Sequence, residues 1–261
     1  MVNPNTYRNL FNMDGKVALV VGGAGGIGTS ISEGLAAFGA SVVVASTRRE
    51  KAEAVAREIQ SAGCRAFAQE LDALHIPQMR ESIKEIADSH GGIDILVNCV
   101  GTHIEAPAET YSEADWDRVV DLNLKSAFFL SQAVANVQIP KKSGKHIHVS
   151  SVRSQIGLRR GYVAYCSSKG GMNLMIKQLA TEWGKYNITV NGIAPTFTRT
   201  ELVKDYLEDP DFLNPLLARI TLGRICEPID LAALAIYLAA PASDFITGQI
   251  VFADGGVTAC Q

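Results

Sequence analysis

The chain has 261 residues, 47% of them hydrophobic, and a formal net charge of −3 at pH 7. That is enough apolar material for a large buried core, and no basic stripe interleaved with aromatics points to nucleic acid as a partner. The five cysteines (64, 99, 166, 226 and 260) are scattered without a C-x-x-C pair, which argues against a disulfide framework or a zinc site and fits a reducing compartment. The opening stretch MVNPNTYRNLFNMDGK is polar and carries no apolar signal core. No apolar run reaches the ~18 residues of a membrane span. A cytoplasmic protein with no membrane partner is expected.

In chain order, Lys16–Val21 is a short apolar run ending in glycines, and Ile27, Ile31, Leu35 and Phe38 then recur at helical spacing. Ser41–Ala45 reads as a second strand and Glu50–Ser61 as a charged, alanine-rich helix. The alternation continues with a strand near Arg65–Gln69, a helix near Gln78–Ser89 and a strand at Ile93–Val97. One helix is predicted from Glu113 to about Asn136, a strand at His146–Val149, a helix from about Tyr162 to Tyr186 and a strand at Ile188–Ile193. Uniformly apolar strands separated by helices predict a parallel sheet covered on both faces. The expected class is therefore α/β: a single Rossmann-type doubly wound parallel sheet of about seven strands, flanked by helices on both faces. No linker or internal repeat breaks the rhythm, so residues 1–261 are expected to form one domain. Between Thr196 and Glu227 the strand signal stops, and the stretch is polar with Pro210 and Pro215. An insertion of that kind in a tight alternation predicts a substrate lid at about 196–227. Pro228–Ala239 reads as a helix opened by proline, and Gln249–Phe252 as a last strand before Asp254-Gly255-Gly256.

The stretch VGGAGGIG, Val21–Gly28, lies between the first strand and the first helix. Glycines there let the backbone turn sharply and present amide N–H groups to a pyrophosphate at a helix N-terminus. The spacing through Gly22, Gly26 and Gly28 is G-x-x-x-G-x-G. The end of the second strand should face the adenosine ribose of a dinucleotide. There the sequence is Ala45-Ser46-Thr47-Arg48-Arg49, with no acid until Glu50. Hydroxyls followed by arginine favour a 2′-phosphate that an acid would repel. NADP(H) is expected as the preferred cofactor, with NAD(H) also usable.

Ser150 and Ser151 follow the strand at His146–Val149, and Tyr165 and Lys169 come further on in a predicted helix. Positions i and i+4 share one helix face, so the lysine ammonium is expected to lie near the phenol. A free tyrosine, pKa about 10, is a poor base at neutral pH, and lowering it by roughly 3 units takes about 4 kcal/mol of differential stabilisation. Ser151 is expected to share the substrate oxygen, because Ser150 alternates to the opposite face of the strand.

Taken together and in order, these motifs resemble the short-chain dehydrogenase/reductase family in its compact single-domain branch, over about Lys16 to Gly256. They are the glycine loop, Asp72, Asn98-Cys99-Val100-Gly101, Asn123, Ser151, Tyr165-x-x-x-Lys169, Asn191 with Pro195, and Thr247-Gly248 with Asp254-Gly255-Gly256. The resemblance, to gluconate 5-dehydrogenase-like members among others, implies transfer of hydride between a nicotinamide and a secondary alcohol or ketone. It implies that Gly22, Gly26, Ile27 and Gly28 cradle the pyrophosphate, that Ser46, Thr47 and Arg48 meet the adenosine ribose, and that Asp72 bonds the adenine amino group. Asn98 and Gly101 line the cofactor, and the backbone from Pro195 to Thr198 binds the carboxamide. Ser151 orients the reacting oxygen and Tyr165 passes the proton. Lys169 lowers the tyrosine pKa and holds the ribose hydroxyls, while Asn123 holds a water in a proton relay. A homotetramer or homodimer is implied as well. Val21, Cys99, Val100 and Thr196 depart from the family's commonest residues without removing a catalytic group.

The segments expected to line the substrate pocket hold His103, Arg153, Gln155, Arg159, Arg160 and Arg199. Their polarity predicts a sugar, sugar acid or polyol as the small-molecule substrate, with Arg153 gripping a carboxylate. The alternatives are a 3-oxoacyl-[acyl-carrier-protein] reductase, docking its carrier through Arg159 and Arg160, and a non-catalytic NAD(P)-binding regulator.

Overall fold

The inner strands of the central sheet are buried along their length because their two faces meet two helical layers. In β1 (Val17–Val21) every residue is buried. Ala18 and Val20 join one cluster, while Val17, Leu19 and Val21 join another on the opposite face. The same division runs through β2 (Ser41–Ser46) and β4 (Ile95–Asn98), whereas in β5 (Gly144–Val149) Ile147 and Val149 join the first cluster and the alternate positions are the buried His146 and His148. The computed structural model, which describes residues 3–259, thus shows a seven-stranded sheet in the order β3-β2-β1-β4-β5-β6-β7, where β3 is Ala66–Glu70, β6 Ile188–Pro195 and β7 Ile250–Ala253. Every neighbouring pair is parallel.

After a short α1 (Pro4–Asn9), which the sequence pattern does not announce, the helices divide between the two faces. α2 (Gly26–Ala37), α3 (Arg49–Ser61) and α10 (Pro228–Ala239) cover one face, and Gly34 lets α2 pass close under Ile236 of α10. α4 (Ile76–His90), α6 (Ser126–Gln138) and α7 (Val163–Trp183) cover the other through Met79, Ile83, Leu130, Val134, Met172 and Ile176. The strand order reverses between β1 and β4, so the crevice beyond their C-terminal ends is where such a sheet binds ligands.

Two stretches differ from the sequence pattern. The single helix expected from Glu113 is interrupted. α5 (Glu113–Val120) passes through a π-turn at Asp121–Lys125, closed by Ser126 N–H donating to the Asp121 carbonyl, before continuing as α6. One extra residue per turn is invisible to a 3.6-residue periodicity, and π-turns occur preferentially at functional sites. The polar segment 196–227 holds two short helices, α8 (Lys204–Glu208) and α9 (Pro210–Leu217), and a cluster of its own. Leu207, Ile220 and Ile225 are buried with Val257 and pack against Ile156. The two ends of the segment are tied by a parallel bridge between Thr198 and Cys226 and by an Arg199–Glu227 ion pair of 2.8 Å. Among the described residues no helix is long and apolar enough to cross a membrane. Cys64, Cys99, Cys166 and Cys226 are free thiols, and Cys260 lies outside the described residues.

Candidate active site

The glycine loop turns back from β1 with Gly22 at φ 78°. The N–H groups of Gly22 and Gly23 both donate to the Ala45 carbonyl at the end of β2, at 2.9 and 3.0 Å. That spends the first amides of the loop and leaves the next ones at the head of α2. Gly25 is the N-cap, with no side-chain cap and no acid in the first turn. The amides of Gly26, Ile27 and Gly28 therefore open this helix with the partial positive charge of its N-terminus unanswered. A Cβ on Gly28 would run into the Gly22 carbonyl, so only glycine permits the turn this close. The cradle fits the pyrophosphate of a dinucleotide.

Around it stand the other residues expected to meet a cofactor. Ser46 Oγ accepts from Arg48 N–H at 3.2 Å, holding the β2 end and the start of α3 together. Thr47 and Arg48 are exposed, and Arg48 has no ion pair among the described residues, whereas Arg49 is engaged by Glu53 at 3.0 Å. Asp72 begins a turn by accepting from Leu74 N–H at 2.9 Å, and its side chain is otherwise exposed. Asn98 is buried; its Oδ1 accepts from Val100 N–H at 3.0 Å, fixing the chain that leads to Gly101. Pro195 ends β6, and Thr198 is buried in the bridge to Cys226. The sequence pattern missed Thr200. Its side chain lies where a Cβ on Gly26 would sit, joining the start of segment 196–227 to the glycine loop.

Ser151, Tyr165, Lys169 and Asn123 converge beyond the ends of β4 and β5. Ser150 and Ser151 part company as alternation requires: Ser150 Oγ donates to Asn173 at 2.6 Å. Ser151 Oγ accepts from Arg153 N–H at 3.1 Å and sits close enough to Tyr165 to work against a rise in its pKa. The rise prevails all the same. Burial pushes the phenol above its ordinary value, and the cation acting to lower it is Arg153. Lys169 behaves differently from the expectation. Its ammonium lies 5.8 Å from the Tyr165 ring centroid and donates to the Val149 carbonyl at 2.8 Å. Burial lowers its own pKa to about 8, so its charge is held at a cost that the protein alone does not turn into a more acidic tyrosine. Asn123, in the π-turn, accepts from Thr102 N–H at 2.8 Å and donates to the Thr102 carbonyl at 2.9 Å and to Ser168 Oγ at 3.0 Å. Its amide clamps the loop after β4 onto α7. Gly101 lies against both Asn123 and Lys169.

Underneath, in β5, are two histidines that the apolar reading of that strand passed over. His148 Nε2 is 3.0 Å from Ser131 Oγ, whose proton goes to the Ala127 carbonyl, and His148 Nδ1 faces the Asn98 amide at 3.4 Å. His146 Nε2 donates to Gln138 Oε1 at 2.9 Å. Burial holds both at about 3, with the Lys169 charge adding to the effect on His148. They are neutral structural groups supporting the strand that delivers Ser151.

On the substrate side, His103 stacks on Tyr162, with centroids 5.1 Å apart at 15°, and both stand edge-on to Tyr165. Tyr162 was absent from the expected set; a tyrosine three residues before another has no sequence signature to single it out. Arg153 is 7% exposed, and among the described residues its one side-chain hydrogen bond goes to the Gly157 carbonyl at 3.0 Å. Gln155 is exposed at the rim. Arg160 pairs with Glu105 at 2.8 Å and lies 5.8 Å from the Phe212 ring, and Arg199 is held by Glu227. Each of these two guanidiniums is thus paired with a carboxylate of the chain, and Arg159 is exposed.

An open parallel sheet with an anion cradle at its switch point, and a serine, tyrosine and lysine gathered beside it, defines a nicotinamide-dependent oxidoreductase. A family model described as "Enoyl-(Acyl carrier protein) reductase" matches residues 22–258. The chain is similar to a gluconate 5-dehydrogenase of Gluconobacter oxydans (33% identical, 97% of this chain and 98% of that protein). It is similar also to a D-threitol dehydrogenase of Mycolicibacterium smegmatis (37% identical, 95% of each). Among solved structures, a gluconate 5-dehydrogenase from Burkholderia cenocepacia, in complex with NADP and tartrate, superposes with a TM-score of 0.93 at 36% identity, covering 97% of this chain and 99% of that one. The chain belongs to the short-chain dehydrogenase/reductase family.

Proposed function

We propose that the protein is a cytoplasmic, NADP(H)-preferring dehydrogenase acting on a secondary hydroxyl of a sugar acid or related polyol, and reducing the corresponding ketone. The observation that carries the substrate class is Arg153. A guanidinium with five donors, buried beside Ser151 and Tyr165, has spent one on Gly157 and has no ion pair among the described residues. Burying a cation without a partner is costly, and a carboxylate supplied by substrate removes the cost. Relatives named for gluconate and threitol support the same class.

In this reading Ser151 Oγ hydrogen-bonds the reacting oxygen and Tyr165 takes its proton, its phenolate form being one that the positive charge of a bound oxidised nicotinamide would favour against the rise that burial gives its pKa. The bound nicotinamide supplies the hydride acceptor. The alcohol loses one hydride and one proton and becomes a ketone; reduction runs the same steps backward. Lys169 holds the ribose hydroxyls, and the Asn123 clamp keeps the loop from Gly101 to Thr102 in place for a water-mediated proton path. Segment 196–227, moving on its tied base, serves as the lid of a single domain. Exposed Trp116, Leu174, Ile229 and Phe245 support a homodimer or homotetramer. A carrier-protein thioester reductase is less well supported, because Arg160 is engaged within the chain.

The test is turnover of aldonic acids and polyols with NADP+ and NAD+, repeated with Arg153→Gln. Loss of a charge-assisted contact predicts a KM for the acid raised about 30-fold with little change in the KM for NADP+. An unchanged acid KM removes Arg153 from the site, and turnover of 3-oxoacyl thioesters in place of sugar acids overturns the reading.

A further inference from the structure

Resting on the sugar-acid reading, we propose that Arg219 is a specificity-determining residue: carried on segment 196–227, it brings a second guanidinium to the carboxylate that Arg153 holds, so that the segment closes on acids in preference to neutral polyols. Arg219 follows α9 where the chain turns back, with its N–H donating to the Leu216 carbonyl at 3.1 Å. The next residue, Ile220, is buried in the cluster that includes Leu207, Ile225 and Val257, and the partly buried Leu216, Leu217 and Ile156 pack against that cluster. Ile156 lies three residues after Arg153. One apolar cluster therefore joins the two stretches of chain that carry the arginines, the buried Arg153 from the static side and the exposed Arg219 from the segment.

The Arg219 charge reaches Arg153: after burial, it is the largest influence holding Arg153 below its ordinary pKa, and no carboxylate acts on Arg153 in the opposite sense. Glu201, Asp205, Glu208, Asp209 and Asp211 of the segment are not among the groups acting on Arg153, and acids around its base are engaged by other partners. Glu227 pairs with Arg199, Asp230 with Arg224, and Asp254 accepts from Gly256 N–H, Thr258 N–H and Thr258 Oγ. Glu105 is held by Arg160. Neither Arg153 nor Arg219 has an ion pair among the described residues. Two like charges with no acid between them oppose closure, and an anion placed between them reverses the sign. Because the base of the segment is tied by the Thr198–Cys226 bridge, the change falls on α8, α9 and Arg219.

The experiment compares D-gluconate with D-threitol at saturating NADP+, in wild type, Arg219→Gln, Arg219→Lys and Lys204→Gln. Lys204 is an exposed cation of the same segment, at the start of α8 and not among the groups acting on Arg153. NADPH fluorescence confirms that each variant is folded. Calorimetric binding to the NADPH complex serves for any ligand that is not turned over. Arg219→Gln is expected to lower the acid-to-polyol ratio of kcat/KM about 20-fold, mostly through the KM for D-gluconate, with partial recovery in Arg219→Lys and no change in Lys204→Gln. A ratio unchanged by Arg219→Gln overturns the proposal, and if Arg153→Gln still collapses it, the sugar-acid reading survives alone. An equal loss in Lys204→Gln overturns it too, since a diffuse field then accounts for the effect. Wild type that neither oxidises nor binds D-gluconate overturns both.

Discussion

The two halves of the sheet handle charge in opposite ways. On the β1–β3 side the strands are almost wholly apolar, and the polar work falls to backbone: Gly22 and Gly23 amides on Ala45, and the uncapped head of α2. On the β5–β6 side, side chains do that work from inside. His146, His148, Asn123, Lys169 and Arg153 are all buried. Backbone donors cost nothing to keep ready, because helix N-termini leave them over in any case. Buried ionisable groups are kept ready only against desolvation, and their pKa values show it. The cofactor half is thus cheap to hold, and the chemical half stores strain of an electrostatic kind.

The sharpest way to break this contrast is Lys169→Met. Removing the ammonium is expected to lower kcat by about 1,000-fold or more, the upper range for loss of a group serving proton transfer and cofactor alignment. The folded protein should nevertheless gain stability. Lys169 has a folded pKa of about 8 against an ordinary 10.5, a difference worth about 3 kcal/mol, less about 1 for the Val149 carbonyl left without its donor. The unfolded chain binds the extra proton between those two values, so the penalty is complete below pH 8, fades as pH rises from 8 to 10.5 and is gone above that. Urea unfolding at pH 7 measures it. A variant less stable than wild type shows that the buried ammonium is not a cost.

Next in size is Arg48→Ala. In the cofactor half Arg48 is a cation at the β2 end without an ion pair among the described residues, whereas Arg49 is paired with Glu53. The substitution is expected to reduce kcat/KM for NADP+ about 30-fold, the weight of one charge-assisted phosphate contact, with NAD+ hardly affected. Arg49→Ala should change neither. Equal losses with both cofactors place Arg48 away from the 2′-phosphate.

Which parts were legible beforehand follows the same division. Uniform strands, the glycine run and the spacing of Tyr165 and Lys169 are local patterns, and each announces its own geometry. The chemical half depends on partners far apart in the chain. His146 and His148 read as members of an apolar strand because only Gln138 and Ser131 of α6 make their burial tolerable. Thr200 reveals itself only through Gly26, and Arg219 only because Ile220 and Ile156 share a cluster. Asn123 was singled out, yet the π-turn that places it adds one residue to a turn and leaves no mark on the periodicity. The polar composition of segment 196–227 likewise concealed Leu207, Ile220 and Ile225, whose partners Ile156 and Val257 lie outside it.

The smallest predicted effect separates the halves by pH alone. His146 and His148 have folded pKa values of about 3, against an ordinary 6.5. As pH falls below 6.5 the unfolded chain takes up protons that the folded protein refuses, so each histidine removes about 1.4 kcal/mol of stability per pH unit. His146→Leu deletes one of the pair together with its unpartnered Nδ1, while Gln138 keeps its two contacts to the Ile93 and Asp94 carbonyls. At pH 7 the variant should lie within about 1 kcal/mol of wild type, the orphaned Gln138 oxygen offsetting the relieved nitrogen. Between pH 6.5 and pH 5 the histidine-linked slope should fall by half, because His148 alone then titrates. Unfolding curves at three pH values in that window measure the slope. If it stays at the wild-type value, acid sensitivity comes from carboxylates elsewhere, and the chemical half is no more costly to keep folded than the cofactor half.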